Sequence, residues 1–174
     1  EAGASTLAPR KIWFDDIVQR LNPDGRGTYL GAFKGDAKIL AIYQGGYYRI
    51  SGYDLSTRYD EELVHIEKFA PEMVVTVVYW EGEKGQYNVK RFNPELSSNP
   101  VSFITEHDKS RLEFATTHPP PIAKIQYDKR SSDLEDEDVE LAEFISVKGI
   151  SAMGNRLTAH KVKTIDRFEP ELPA

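Results

Sequence analysis

Cysteine is absent from the 174 residues. Disulfides, thiolate metal sites and thiol nucleophiles are thereby excluded, and the composition fits a reducing compartment, which makes the cytoplasm the expected location. Long apolar runs are missing too. No stretch approaches the roughly 20 residues that a membrane-spanning helix needs, so no membrane partner is expected. The opening residues lack a signal-peptide pattern. Histidine is sparse: His65, His107, His118 and His160 lie far apart without ligand spacing, so no metal site is expected. The chain also lacks a phosphate-cradling loop, a dinucleotide fingerprint and a Gly-x-Ser-x-Gly elbow. Gly25-Arg26-Gly27 and Gly45-Gly46 read as turns. No residue is therefore expected to be catalytic.

What is present describes a folded chain. Hydrophobic residues make up 40% and aromatics 11%, enough for a core and too many for a disordered segment. The first residue is Glu1, and the small residues that follow read as a piece of a longer protein. Residues 1–10 are expected to be a linker or remnant, and 11–172 a single domain. The net charge of -6 opposes nucleic-acid binding, which needs Lys and Arg at the phosphates. That charge is concentrated, however. Asp133, Glu135, Asp136, Glu137, Asp138 and Glu140 form one acidic run, and without it the chain is formally neutral. The run reads as a solvated loop within the domain or the edge of one repeat. It lacks the spacing of a calcium loop. Residues 142–168 carry a local excess of basic charge.

Periodicity predicts mostly strands. Lys11 to Leu21 has apolar residues at helical spacing (Ile12, Trp13, Ile17, Val18 and Leu21), which predicts a short N-terminal helix stopped at Asn22-Pro23. Ile39 to Tyr43 and Tyr47 to Ile50 flank a glycine turn and read as a hairpin. Val64 to Ile66 is a further short strand. Met73 to Trp80 and Gln86 to Phe92 repeat the hairpin in a stronger form. On this register Arg49 corresponds to Lys90, and Tyr48 to Val89. A strand-turn-strand unit recurring in this way predicts a repeated, propeller-like β architecture. A third, less regular unit runs through Val101 to Ile104, Arg111 to Thr116 and Ile122 to Tyr127. It is broken at Pro119-Pro120-Pro121, since proline cannot donate to a ladder. The last unit is expected to hold strands at Glu143 to Val147, Met153 to Leu157 and Val162 to Ile165. Trp80 and the strand aromatics read as core.

The segment from Phe144 through Val147-Lys148-Gly149 to Ala152-Met153-Gly154-Asn155-Arg156-Leu157-Thr158 resembles a late repeat in the C-terminal domain of gyrase A and topoisomerase IV A subunits. Ile39 to Tyr43, followed by Gly45-Gly46 and Tyr47-Tyr48-Arg49-Ile50, is similar to that family's repeat core. The resemblance covers most of residues 27–168. It implies an all-β pinwheel of four-stranded blades that trade strands, and the length suggests about four blades. It also implies a basic rim around which duplex DNA bends without sequence readout, to direct strand passage in relaxation, decatenation or supercoiling. The implied parent is a bacterial type II topoisomerase that uses ATP and magnesium. Its catalytic region and its ATPase B subunit would then be partners of this chain, and its surroundings the nucleoid. The Gln-Arg-Arg-Gly-Gly-Lys-Gly type of run that marks a gyrase is missing, so the topoisomerase IV side is the better match. None of the tyrosines inherits the DNA-cleaving role.

Arg49, Lys90, Arg91, Lys148, Arg156, Lys161 and Lys163 are the expected DNA contacts. Recurring charges on one rim would meet phosphates at intervals. Gly149 and Gly154 would let the backbone beside Lys148 and Arg156 come close to another chain. The plainer reading is that these are ordinary solvated charges and ordinary turns. A protein-interaction module with no nucleic-acid role is the alternative, supported by the net charge and the acidic run. The two readings differ on whether these cations gather on one surface or pair with Asp and Glu.

Overall fold

The fold is that of a computed structural model, which describes residues 8–168. Most of the expected N-terminal linker, and the expected domain end at 172, lie outside the described residues.

The expected N-terminal helix is replaced by a hairpin. β1 (Arg10–Asp15) and β2 (Arg20–Asn22) pair antiparallel, with Phe14 opposite Leu21. Ile12 and Phe14 are buried while Trp13 and Asp15 are less so, which is the alternation of a strand. Ile17 and Val18, which supplied the helical spacing, sit in the turn, 88% and 46% exposed. A short apolar run satisfies both periods, and a neighbouring strand decided between them: β1 pairs on its other side with β3 (Thr28–Phe33).

The remaining chain builds three further antiparallel sheets, so the fold is all-β as expected. The second sheet centres on β4 (Ile39–Tyr43) and β5 (Tyr47–Ser51), with β6 (Leu63–Lys68) against β4. Gly46 takes φ +85° in the tight turn, a conformation open to glycine, and its N–H donates to the Tyr43 carbonyl at 2.9 Å. The third centres on β7 (Val75–Glu81) and β8 (Gln86–Phe92). The short β9 (Val101–Ser102) pairs with β5, and β10 (Arg111–Thr116) pairs with β7. The fourth holds β11 (Ile122–Tyr127), β12 (Glu137–Glu140) and, after the two-residue β13 (Asn155–Arg156), β14 (Val162–Phe168). β13 joins the third sheet beside β8.

One plan recurs in all four sheets. A hairpin forms the centre, and a third strand adds to its first strand. That third strand is bulged each time, at Leu30, Val64, Glu113 and Lys163. A bulge adds one unpaired residue and sharpens the local twist. Matching the bulges aligns Ile42 with Val78, and therefore Tyr48 with Val89 and Arg49 with Lys90. The repeat register read from the sequence is thus the structural one. In the first three sheets a segment from further along the chain then covers the hairpin's second strand: Arg58 makes an isolated bridge to Arg20 on β2, β9 adds to β5, and β13 adds to β8.

One local expectation changes. Glu143 to Val147 does not form a strand; Leu141–Phe144 is one helical turn, α1, capped by the Glu140 side chain accepting from the Ala142 N–H at 2.7 Å. The local cap competes with a ladder here and wins. The acidic run meets both of its readings: its first half is loop, and Glu137–Glu140 is β12, an edge strand of the fourth sheet.

The chain divides into two compact units. One takes residues up to Pro71 and Glu95–Ser102; the other takes Glu72–Pro94 and Phe103 onward. The first unit buries Ile12, Phe14, Phe33, Ile39, Tyr43 and Tyr59 together, with Phe14 and Tyr59 meeting edge to face at 5.7 Å. The second buries Val78, Val89, Ile125, Leu141, Leu157 and Ile165. Each such fully buried side chain contributes about 1.5–3 kcal/mol.

Candidate nucleic-acid interface

In the second unit a cleft of about 610 Å³ opens where the β7–β8 turn, the start of β10 and residues 156–162 converge. Cross-strand pairing builds its floor. Arg111 lies opposite Trp80 across the β10–β7 ladder, and Trp80 lies opposite Tyr87 across β7–β8. The indole and phenol rings meet edge to face at 4.8 Å, and the Arg111 guanidinium sits 5.5 Å over the indole. Arg111 also donates to the Tyr87 hydroxyl at 3.2 Å and to the Glu113 carboxylate at 3.0 Å. Burial, with the Glu113 charge second, pushes the Tyr87 hydroxyl above its ordinary pKa.

The walls are basic. Lys109, Arg111, Arg156 and Lys161 line the cleft together with His160, and among the described residues no Asp or Glu lines it. Arg156 is exposed on β13, and its Nε donates to the Thr158 carbonyl at 3.1 Å, which fixes the plane of its guanidinium. Lys161 is 67% exposed and stands 3.9 Å from Asp128. Arg130 already answers that carboxylate through Nε and Nη2, both at 3.2 Å, and holds it below the usual carboxylate range. Lys161 is thus the more distant of the two cations on Asp128, with its ammonium facing solvent. Lys163 lies on the adjoining surface, lining a neighbouring cleft with Lys129, Arg130 and Lys161.

The expected contacts therefore separate. Arg156, Lys161 and Lys163 come together on one side of the second unit. Lys90 does not reach a surface. It is 8% exposed, its Nζ donates to the Ile150 carbonyl at 3.0 Å, and burial pushes its pKa down. Arg91 is half-buried, bonded through Nε to Thr76 Oγ1 at 3.0 Å and through Nη1 to the Ile145 carbonyl at 3.4 Å. Lys148 is exposed but outside the cleft, and its backbone N–H donates to the Arg91 carbonyl at 2.9 Å. Arg49 is exposed in the first unit, where it lines a cleft of about 350 Å³ with Tyr43, Arg58 and Asp60. Gly149 is open, and Gly154 serves a close approach within the chain: a Cβ there would lie 2.8 Å from the Tyr79 hydroxyl and 3.0 Å from the Val89 carbonyl.

Sequence reasoning missed Lys109, Arg111 and His160. A signal existed for Arg111. Once β10 is laid beside β7 by the repeat pattern, Arg111 falls next to Trp80. Among the described residues, no group of three His, Asp or Glu is placed to hold a metal ion. No helix among them is long and apolar enough to cross a membrane.

A family model described as topoisomerase C-terminal domain, Bacteroidota, matches residues 20–169. No curated protein matches the chain.

Proposed function

Because the chain belongs to the topoisomerase C-terminal domain family of the Bacteroidota, we propose that it serves a topoisomerase as an accessory domain that binds duplex DNA through the basic cleft of its second unit. One observation carries this reading: among the described residues, four cationic side chains line that cleft and no carboxylate does. Each cation that meets a phosphate releases condensed counterions, so affinity comes from salt-dependent contacts that read no sequence. The concentration of positive charge in one place, with the acidic run elsewhere in the sequence, allows a chain of net charge -6 to attract DNA locally.

The finer reading makes the parent an ATP-dependent bacterial type II enzyme of the topoisomerase IV kind, working in the cytoplasm at the nucleoid. ATP and magnesium then belong to the parent, and the catalytic remainder of the A subunit and the ATPase B subunit are partners. The resemblance in Phe144 to Thr158 and the absence of a gyrase-type basic-glycine run support it. Bending the duplex would cost on the order of 1–6 kcal/mol, to be offset by further contacts.

A labelled duplex titrated with the chain tests the DNA reading. With about four phosphates neutralised, affinity falls roughly 100-fold between 50 and 200 mM salt, and it is indifferent to sequence. A duplex left unbound at 50 mM salt overturns the reading. Energy transfer between the two ends of the bound duplex tests bending.

A further inference from the structure

We propose that the free edge of β12 is a docking slot for a basic, extended polypeptide segment, which joins the fourth sheet as its fourth strand. The internal repeat carries the argument. In the first three sheets the second strand of the hairpin is covered by a segment from later in the chain: Arg58 on β2, β9 on β5, and β13 on β8. In the fourth sheet β12 pairs with β11 alone among the described residues. Its outer row of backbone donors and acceptors is a template for another strand.

The three covering segments show the form of the occupant. Each places a polar residue in the ladder and follows it with a buried apolar side chain: Arg58 then Tyr59, Ser102 then Phe103, Arg156 then Leu157. The anchors' backbones join the edge as well, with the Tyr59 N–H donating to the Gln19 carbonyl and the Leu157 N–H to the Tyr87 carbonyl, both at 2.8 Å. In two of the three the ladder residue is arginine.

The charge of the edge selects the partner. Glu137 accepts from the Tyr127 hydroxyl at 2.6 Å, and Glu140 caps α1. Asp136 stands 3.6 Å from Lys129. Asp133, Glu135 and Asp138 are exposed beside them and uncommitted to any of these bonds. A second copy of β12 would set like charges across the ladder, which is destabilising. DNA would be repelled for the same reason. A strand bearing arginine meets opposite charge and satisfies the edge at once. The slot shares no lining residue with the proposed DNA site, so the two readings fail independently.

The probe is a fluorescein-labelled peptide spanning Ala152 to Ala159 of this chain, titrated into the full 174-residue protein. Saturable binding is expected, with backbone amides of Glu137 to Glu140 exchanging at least about 5-fold more slowly in its presence. Asp138→Lys should weaken binding by about 5-fold, as expected for about 1 kcal/mol of cross-strand charge pairing, and Asp138→Asn by less. A peptide with proline at the arginine and leucine positions should not bind, and Arg111→Ala should leave peptide binding unchanged. No saturation by about 1 mM overturns the proposal, since weaker binding would be worth under about 4 kcal/mol. Unchanged exchange at Glu137 to Glu140 also overturns it, as does protection of those amides by duplex DNA or by dimerisation.

Discussion

The Nζ of Lys90 donates to the carbonyl of Ile150 at 3.0 Å, joining residues 60 positions apart in the sequence. Lys90 and Arg49 hold the same place in successive repeats, yet Arg49 is exposed and Lys90 is covered by the chain that returns past Ile150. Equivalent register does not confer equivalent solvent access, and one prediction about DNA binding rests on that difference.

Lys90→Met should leave duplex affinity within about 2-fold of the parent, because a side chain held by a backbone carbonyl meets no phosphate. Arg156→Ala, in the cleft, should weaken binding by roughly 3- to 10-fold at low salt. Fluorescence anisotropy on one duplex compares the two. A larger loss from the Lys90 change would return that residue to the interface.

Arg111→Ala removes the cation over Trp80. The logarithmic salt slope should become shallower by about 1, with the same loss on every duplex sequence. Titrations at four salt concentrations measure the slope. An unchanged slope would mean that Arg111 only braces Trp80 and Tyr87.

Tyr43 should make the fold sensitive to alkali. Burial, with Tyr59 and Tyr47 adding smaller effects, pushes its hydroxyl from 10.0 up to about 12. The folded state then keeps a proton that the unfolded chain releases. Stability from this group is complete below pH 10 and is lost as pH rises from 10 towards 12. With allowance for water reaching the phenol from its cleft, the loss is on the order of 1–2 kcal/mol. Urea denaturation of wild type and Tyr43→Phe at pH 9 and pH 11 checks it: the variant should lose less stability over that interval.

Gly154→Ala should destabilise the second unit by about 1–3 kcal/mol, the usual cost of overpacking. The added methyl would crowd the Tyr79 hydroxyl, the Val89 carbonyl and the Asn88 Cβ, the last at 3.2 Å. Gly149→Ala meets nothing within 4 Å and should be nearly neutral. Thermal melts of both variants give the comparison, and equal midpoints would refute the close-approach account of Gly154.

Much of the fold was legible because strands and turns write themselves locally. Glycine turns and short apolar runs located the β4–β5 and β7–β8 hairpins, and their likeness gave the repeat. The first hairpin was not legible. Ile12, Trp13, Ile17, Val18 and Leu21 satisfy a helical period, and nothing within Lys11 to Leu21 reports that β3 lies alongside. The candidate site was legible in part for the same reason. The density of charge after residue 142 pointed to Arg156 and Lys161, whereas Lys109 and Arg111 reach them only through the pairing of β10 with β7 and of β13 with β8.

The sequence by itself determined the all-β class, the repeat register that equates Arg49 with Lys90, and the family resemblance. Each depends on residue type and spacing over a short span, where backbone geometry and side-chain alternation act directly. The tertiary structure alone decided that Lys90 is buried and, among the described residues, that four cations share one cleft free of carboxylates and that half of the acidic run is an uncovered strand edge. Those outcomes depend on which distant segment covers which edge. Solvent access and local field are set by that covering, and it is a property of the packed chain.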